Sequence, residues 1–257
     1  MTRIGPAFRQ NGHGRLICFL TTGFPSMTGF KEHFRACVEG GADIMEIGLP
    51  FSDPVADGPT IQHASRVALE KGVTFLSMME VTRELRQEFS VPIVLMGYYN
   101  PIFVQGPGRF VDEAKSAGAD GLIVPDVPLE ECGPLRKECE RGGLDLIMIV
   151  GPLTSADRMK RIASASSGYL YLAGNLGTTG ARSSMSGELP DLIKRAKGST
   201  ELPVAVGFGI SSPDQVRTVI QAGADAAIVG SAILDRVIKG SPSKEVRRFV
   251  ETLKGGA

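Results

Sequence analysis

Gly40-Gly-Ala-Asp43 recurs in this chain as Ala117-Gly-Ala-Asp120 and as Ala222-Gly-Ala-Asp225. Each tetrapeptide lies where an amphipathic stretch ends and a short apolar run begins, and its glycine is a plausible helix C-cap in the left-handed region. Because the three copies are unevenly spaced, we interpret them as one type of helix-to-strand turn and not as a solenoid repeat. Such a turn implies that helices and strands alternate.

The alternation of short apolar runs and amphipathic stretches continues along the whole chain. It predicts eight strands, at 16–21, 43–48, 92–97, 120–124, 144–150, 168–173, 203–207 and 225–229. It also predicts helices, at 28–39, 60–70, 74–89, 109–117, 130–141, 155–166, 188–197, 213–222 and 243–254, with one extra helix after the second strand. Strict alternation is typical of parallel β-α units, and apolar strands are typical of a sheet that is covered on both faces.

We therefore predict an α/β fold, a single (β/α)8 TIM barrel with extra helices, with residues 1–257 as one domain. Such barrels need about 250 residues, and no proline- or glycine-rich linker or charge block divides the 257 residues of this chain. A doubly wound open sheet is the alternative. In a barrel, the functional residues follow the C-terminal ends of the strands.

The composition excludes several classes of protein. The 28 basic side chains (Lys and Arg) balance the 28 acidic ones, so charge gives no reason to expect a nucleic acid or a membrane as partner. The longest apolar runs, such as 146–150 and 226–230, are far shorter than the ~20 residues that span a bilayer, and residues 1–10 lack the apolar core of a signal peptide. We expect a cytoplasmic protein. Its four cysteines lack C-x-x-C spacing and its three histidines are scattered, which predicts no metal site.

The most informative segment follows the second predicted strand. It reads Glu46-Ile-Gly-Leu-Pro-Phe-Ser-Asp-Pro-Val-Ala-Asp57-Gly-Pro-Thr-Ile-Gln62. Side chains alternate along a strand, so Ile44, Glu46 and Gly48 share one face, which we predict lies inside the barrel. Burial would raise the pKa of Glu46 and suit it to proton transfer near neutral pH. An ion pair with a neighbouring strand is the alternative.

Asp57 lies in a loop that is punctuated by glycine and proline. Aspartate is common in such turns for purely conformational reasons, so Asp57 is either a turn residue or part of the site. The same alternatives hold for Asp53 and Asp126, each of which stands next to a proline.

Glycine-rich segments follow the last three predicted strands. Gly207-Phe-Gly-Ile-Ser-Ser212 and Val229-Gly-Ser-Ala-Ile233 follow the seventh and eighth, where barrel enzymes often bind phosphate. Backbone N–H groups there can hold an anion without a cation, although both segments also suit ordinary tight turns. The long polar segment 174–187 is either a lid, in which Thr179 or Arg182 closes over an anion, or a merely flexible loop.

Some kinds of catalytic apparatus are missing from the sequence. None of the ten lysines lies within a predicted strand, which argues against a Schiff-base lysine in the barrel mouth. The chain contains neither a G-x-x-x-x-G-K-[ST] loop nor a G-x-G-x-x-G motif. We therefore expect a site built from carboxylates, hydrogen-bonding groups and apolar walls.

Taken together, these motifs resemble the tryptophan synthase α-subunit family over nearly the whole chain. The segment from Glu46 to Gln62 resembles the signature of that family. Further similarities are Leu20-Thr-Thr-Gly-Phe-Pro25, Met96-Gly-Tyr-Tyr-Asn-Pro101, Val124-Pro-Asp-Val-Pro128 and the glycine segments at 207–211 and 230–233. The resemblance implies cleavage of indole-3-glycerol phosphate to indole and glyceraldehyde 3-phosphate.

The resemblance also implies a role for individual residues. Glu46 would transfer the proton to C3 of the indole, and Asp57 would bind the indole N–H. The family positions that surround the substrate match the following residues: Phe19, Tyr98, Ile123 and Tyr171 for the ring, Thr179 for the lid, Gly180, Gly209, Gly230 and Ser231 for the phosphate, and Phe208 as a further substrate-binding residue. The lid departs from the family pattern Ser-x-x-Gly-Val-Thr-Gly, because this chain has Gly174-Asn-Leu-Gly-Thr-Thr-Gly180.

The same resemblance implies a partner. The family works as an αββα complex in which indole passes through a tunnel to a β subunit, and pyridoxal phosphate belongs to that subunit, so no cofactor is expected on this chain. The loops 54–59 and 176–185 would communicate with the β subunit. A lyase that acts without a partner and a catalytically silent subunit that binds phosphate ligands are the alternatives, although the presence of Glu46 and Asp57 argues against the second.

Overall fold

The computed structural model describes residues 2–9, 14–174, 185–207 and 209–257, and over 185–188 it describes the backbone alone. The strands are β1 (Arg15–Thr21), β2 (Ile44–Gly48), β3 (Ile93–Met96), β4 (Gly121–Ile123), β5 (Asp145–Ile147), β6 (Ile149–Val150), β7 (Leu170–Ala173), β8 (Val204–Gly207) and β9 (Ala226–Val229). Each pairs in parallel with its neighbours, in the order β5-β4-β3-β2-β1-β9-β8-β7-β6.

The sheet closes into a barrel because its two end strands are consecutive in the chain. β5 and β6 are separated only by Met148, and together they occupy the predicted strand 144–150. At this point two backbone N–H groups donate to serine hydroxyls and not to the carbonyls of a neighbouring strand, which interrupts the pattern of hydrogen bonds between strands. Ser167 Oγ accepts the N–H of Leu146, and Ser166 Oγ accepts the N–H of Met148. The prediction of a TIM barrel is confirmed, with its fifth strand in two pieces.

The helices cover the outside of the barrel and one of its ends. They are α1 (Ile4–Arg9), α2 (Met27–Glu39), α3 (Pro59–Glu70), α4 (Phe75–Glu88), α5 (Tyr99–Gln105), α6 (Pro107–Ala117), α7 (Gly133–Gly142), α8 (Ala156–Ala165), α9 (Met185–Lys197), α10 (Pro213–Gln221), α11 (Ser231–Ile238) and α12 (Ser243–Lys254). The two helices predicted between the second and third strands are α3 and α4. Among the helices described, none is long and apolar enough to cross a membrane.

Three short helices, α1, α5 and α11, are absent from the predicted set. They have six to eight residues, too few to show a clear helical period in the sequence. Helix α1 closes the N-terminal end of the barrel: Ile4 and Ala7 are buried in its interior, and the ring of Phe8 lies 5.8 Å from that of Tyr169.

The structure gives the aspartates of the repeated turn a specific role. Each lies just before one strand and accepts a hydrogen bond from the first or second N–H of the neighbouring strand. The three pairs are Asp43 with Leu16 N (2.7 Å), Asp120 with Ile93 N (3.1 Å) and Asp225 with Val204 N (2.7 Å). Since the strands begin at this edge, these amides would otherwise lack a partner from the ladder.

Each of these aspartates also binds a basic side chain from the last turn of a helix. The ion pairs are Asp43 with Lys254 of α12 (2.6 Å), Asp120 with Arg86 of α4 (2.8 Å) and Asp225 with Lys197 of α9 (2.7 Å). The repeated turn therefore ties a helix end and two strands together at three places around the N-terminal end of the barrel. This end provides stability, and the opposite end is left for function.

We predict that Asp120→Asn lowers the free energy of unfolding by about 3 kcal/mol, because breaking a buried pair leaves an uncompensated charge. The Asp120 side chain is 1% exposed and Arg86 is 12% exposed. Urea denaturation followed by circular dichroism measures the loss. Asp112→Asn is the matched control, because it breaks an exposed pair with Arg141 and should change stability little. Equal losses in the two variants would contradict this role of the repeated aspartate.

Candidate active site

Glu46 lies inside the barrel, as the strand alternation predicts. It is the middle residue of β2, in register with Phe19 of β1 and Val94 of β3, and its exposure is 1%. Its Oε1 accepts a hydrogen bond of 2.6 Å from the hydroxyl of Tyr169. Its Oε2 is buried without a hydrogen-bond partner among the described residues. Tyr169 therefore holds one carboxyl oxygen, and the hydrogen-bonding capacity of the other is unused among the described residues.

Burial raises the pKa of Glu46 to about 7, and the hydrogen bond from Tyr169 opposes part of that rise by favouring the carboxylate. The described part of the chain contains no salt bridge to Glu46. The structure therefore does not support the alternative in which Glu46 forms an ion pair with a neighbouring strand. A carboxyl group with a pKa of about 7 is present in both protonation states at neutral pH and can donate or accept a proton.

Tyr169, which bonds to Glu46, is not among the candidate residues of the sequence analysis. It lies just before β7, its side chain is fully buried in the barrel interior, and burial raises the pKa of its phenol. The signal is present in the sequence, because Tyr169 stands two positions before Tyr171 and therefore on the same face of the predicted strand.

Asp57 lies in the loop between β2 and α3, on the same end of the barrel. Two hydrogen bonds to the backbone hold the loop: Asp57 N–H donates to Pro54 O (3.0 Å), and the side-chain amide Nε2 of Gln62 donates to Asp57 O (2.8 Å). Burial raises the pKa of Asp57 to about 6, and a hydrogen bond with Tyr98 opposes part of the rise. Asp57 is therefore half-buried in this loop and not an exposed residue.

Tyr98 links this loop to the end of β3. Its hydroxyl accepts the N–H of Ala56 at 3.0 Å, which leaves the phenolic proton for Asp57. Its ring stacks on Phe51 with centroids 5.2 Å apart. Tyr98 and Asp57 line one cavity, together with Phe19, Thr21, Ile61 and Ser65.

Two glycines make room for the ring of Phe19. A Cβ at Gly48 would lie 2.7 Å from Phe19 Cζ, and a Cβ at Gly230 would lie 3.2 Å from its Cδ1. The ring thus lies between the exit of β2 and the loop after β9. In the same way, a Cβ at Gly207 would clash with the phenol of Tyr171, so a side chain there would displace that ring.

The other two candidates for the ring pocket, Tyr171 and Ile123, lie within strands of the barrel. Tyr171 is in β7, and burial raises the pKa of its phenol. Ile123 is the last residue of β4, is fully buried and belongs to the barrel interior. The structure thus brings Phe19, Ile123 and Tyr171 to the face of the barrel that holds Glu46.

The candidate phosphate-binding residues follow two adjacent strands. Gly209 comes after β8 and has a φ of +63°, a conformation that favours glycine. Gly230 comes after β9 and is the N-cap of α11, which begins at Ser231. The first N–H groups of a helix have no acceptor within it, so this helix end suits an anion. Phe208, Thr179, Gly180 and Arg182, and most of the proposed lid, lie outside the described residues.

No group of three or more histidine, cysteine, aspartate or glutamate side chains within the described ranges is arranged to hold a metal ion. None of the described strands contains a lysine. Among the described residues, this end of the barrel brings together two carboxyl groups of raised pKa, Glu46 and Asp57, and a tyrosine that bonds to each of them.

Comparison with known proteins connects this geometry to a family. The family model described as tryptophan synthase alpha chain matches residues 7–255. A tryptophan synthase alpha chain of Methanosarcina barkeri is 45% identical over 249 residues, which cover 96% of this chain and 93% of that protein. One from Synechocystis is 44% identical over 238 residues, with 93% and 90% covered.

Solved structures agree with the sequence relatives. A tryptophan synthase structure from M. tuberculosis in an open form matches with a TM-score of 0.90 and 32% identity, covering 99% of this chain and 98% of the matched chain. The tryptophan synthase a2b2 complex from Pyrococcus furiosus matches with a TM-score of 0.88 and 36% identity, covering 96% and 100%. This chain forms a barrel with a buried glutamate on its second strand, and known alpha chains match it along nearly its whole length. It belongs to the tryptophan synthase alpha chain family.

Proposed function

We propose that this chain cleaves indole-3-glycerol phosphate to indole and glyceraldehyde 3-phosphate by a retro-aldol reaction. The environment of Glu46 is the main support for the proposal. Its carboxyl group is buried and has a pKa of about 7. One oxygen accepts a hydrogen bond from Tyr169, and the other has no hydrogen-bond partner among the described residues. Such a group can both give a proton to carbon and receive one from a hydroxyl.

In the proposed reaction, protonated Glu46 transfers its proton to C3 of the indole ring, and the ring nitrogen becomes positively charged. The carboxylate then takes the proton of the hydroxyl on the adjacent side-chain carbon. The bond between that carbon and C3 breaks, its electron pair returns to the ring, and the products are indole and an aldehyde. Because the protonated ring accepts the electron pair, we propose that the step uses no cofactor on this chain.

Asp57 stabilises the charged ring in this proposal. With a pKa of about 6, it is mostly ionised at neutral pH, so it can accept the indole N–H and face the developing positive charge. Tyr98 holds the loop through Ala56. The ring would pack among Phe19, Ile123, Tyr171 and Phe208, and Thr179 would close over Asp57.

The phosphate would lie at the start of α11. In this proposal Ser231 would contribute its hydroxyl and its N–H group, Gly209 and Gly230 would contribute backbone N–H groups, and Gly180, by family resemblance, would be a further phosphate-binding position. The site is built from neutral donors and a helix N-terminus, which suit a phosphate without a paired cation.

We also propose a β-subunit partner at this end of the barrel. Four apolar side chains are strongly exposed on segments that follow β2, β3 and β6: Val55 (83%), Phe103 (65%), Val104 (73%) and Leu153 (87%). Apolar side chains grouped at one end are typical of an interaction surface. We propose that these four side chains contact the β subunit of an αββα assembly. In that assembly the β subunit would carry pyridoxal phosphate and receive indole. The proposal includes a cytoplasmic protein of one domain, with neither nucleic acid nor a membrane as partner.

The direct test is to mix the purified protein with indole-3-glycerol phosphate and to measure indole. We expect indole from the protein alone and more after a cognate β subunit is added. Release of indole that a β subunit leaves unchanged would favour a lyase without a partner. An absence of indole in both mixtures would overturn the proposed function.

We predict that Glu46→Gln lowers kcat by about 10²–10⁴-fold, the usual cost of losing a positioned acid–base group, with KM nearly unchanged. Steady-state assays of indole release measure the loss. Glu84→Gln is the matched control, because Glu84 pairs with Lys31 on the exposed outer surface and should keep full activity. A Glu46→Gln enzyme with more than half of the wild-type turnover would remove Glu46 from the reaction.

The same variant should change how stability depends on pH. The pKa of Glu46 is raised from 4.5 to about 7 in the folded chain. Between those values the unfolded chain loses the proton that the folded chain keeps, so this residue destabilises the fold progressively as pH rises. Relative to wild type, Glu46→Gln should therefore gain up to about 3 kcal/mol between pH 4.5 and pH 8. Urea denaturation at both pH values measures the difference, and a constant difference would contradict the raised pKa.

We predict that Asp57→Asn lowers kcat by about 10²–10³-fold, because a neutral amide stabilises a cationic ring less well. Asp53→Asn is the control in the same loop, where Asp53 is exposed and bonds to the neighbouring Ser52. If the two variants have equal activity, Asp57 is a turn residue only.

A further inference from the structure

A single hydrogen bond joins the segment that carries Asp57 to the helix that begins at Ser231. The hydroxyl of Thr60 donates to Oδ1 of Asp235 at 2.8 Å, across 175 positions of sequence. Thr60 is the second residue of α3, and Asp235 is the fifth residue of α11. Within the described part of the chain, no other hydrogen bond or ion pair connects these two helices.

Each partner is rigidly connected to one end of the candidate site. Thr60 stands three residues after Asp57, in the helical turn where Gln62 donates to both Asp57 O and Gly58 O. Asp235 stands four residues after Ser231, which is about 6 Å along the same helix. The bond therefore connects the carboxyl group proposed for the indole to the helix end proposed for the phosphate.

The carboxyl group of Asp235 bonds to Thr60 and not to the basic residue next to it in the sequence. The neighbouring Arg236 turns away, because its guanidinium lies 3.3 Å from the centre of the Phe249 ring and donates to Ala232 O. Thr60 and Asp235 are both half-buried, so water competes with their bond less than at an open surface. A hydrogen bond to an ionised acceptor is stronger than one between neutral groups.

We propose that the Thr60–Asp235 hydrogen bond is a positioning contact that sets the distance between Asp57 and the start of α11. This inference rests on the proposed function, since the ligand that needs such a fixed distance joins an indole ring to a phosphate through a three-carbon chain. The contact leaves each end of the site intact and fixes their separation. Thr60 and Asp235 thus act through Asp57 and Ser231 and touch neither ring nor phosphate.

The test is Thr60→Val, which removes the hydroxyl while nearly keeping the volume. We expect kcat for indole release to fall about tenfold, because a small misplacement of a catalytic group costs up to about 10²-fold. The inhibition constant of glycerol 3-phosphate, a probe with the phosphate but without the ring, should stay unchanged. Thr60→Ser, which restores a hydroxyl, should recover the turnover.

Two further variants show whether the effect passes through the proposed partners. Asp235→Ala should lower kcat as much as Thr60→Val, and the double variant should be no worse than either one. In an Asp57→Asn background, Thr60→Val should have no additional effect. The matched control is Thr252→Val on α12, which removes a hydroxyl that bonds only to Arg248 O within its own helix and should keep full activity.

Several results would overturn the inference. These are a Thr60→Val turnover within twofold of wild type, a full additional loss in the Asp57→Asn background, and a weaker inhibition by glycerol 3-phosphate at unchanged kcat. A wild-type protein that releases no indole would instead overturn the proposed function, and with it the need for this contact.

Discussion

The enclosure of Glu46 by the barrel is the constraint on which the rest of the site depends. Strand alternation turns this side chain inward, and a carboxyl group there loses its hydration, which is costly for the charged form. The structure offsets the cost in two ways: the pKa rises to about 7, and the phenol of Tyr169 donates one hydrogen bond. Full pairing of both oxygens would lower the cost further, but it would leave no free oxygen for a ligand.

A barrel that carries such a destabilising group needs stability elsewhere. The N-terminal end provides it, through the three aspartates of the repeated turn, which bond both to a strand N–H and to a basic side chain. Helix α1 closes the same end with apolar side chains. The ion pairs and apolar contacts of the N-terminal end thus stabilise the barrel, and the proposed site lies at the opposite end.

Local patterns in the sequence predict much of this structure. The spacing of the apolar residues predicts the alternating strands and helices of the barrel. The alternation of side chains around Glu46 correctly predicts that this side chain faces the barrel interior. The family prediction is also confirmed. Features set by contacts between distant residues are harder to predict. The split at Met148 depends on serines some 20 residues further on, and the partner of Glu46 lies 123 positions away.

The short helices α1 and α5 escape prediction for a related reason. Their helical form depends on packing against the barrel more than on a pattern of their own. The repeated aspartates are visible in the sequence as turn residues, but their ion pairs with Lys254, Arg86 and Lys197 appear only when the barrel closes. The roles of the candidate site residues stay predictions, and Thr179, Gly180 and Phe208 also lie outside the described ranges.

The central claim is that enclosure by the barrel raises the pKa of Glu46 from its ordinary value into the neutral range. Carbon-13 NMR of the glutamate side-chain carboxyl groups, with Glu46 assigned by comparison with Glu46→Gln, measures its titration directly. The account predicts a midpoint near pH 7 in the wild type and a higher midpoint in Tyr169→Phe, since that variant lacks the hydrogen bond that favours the carboxylate. A midpoint near 4.5 in the wild type, the ordinary value for a glutamate, would contradict the account.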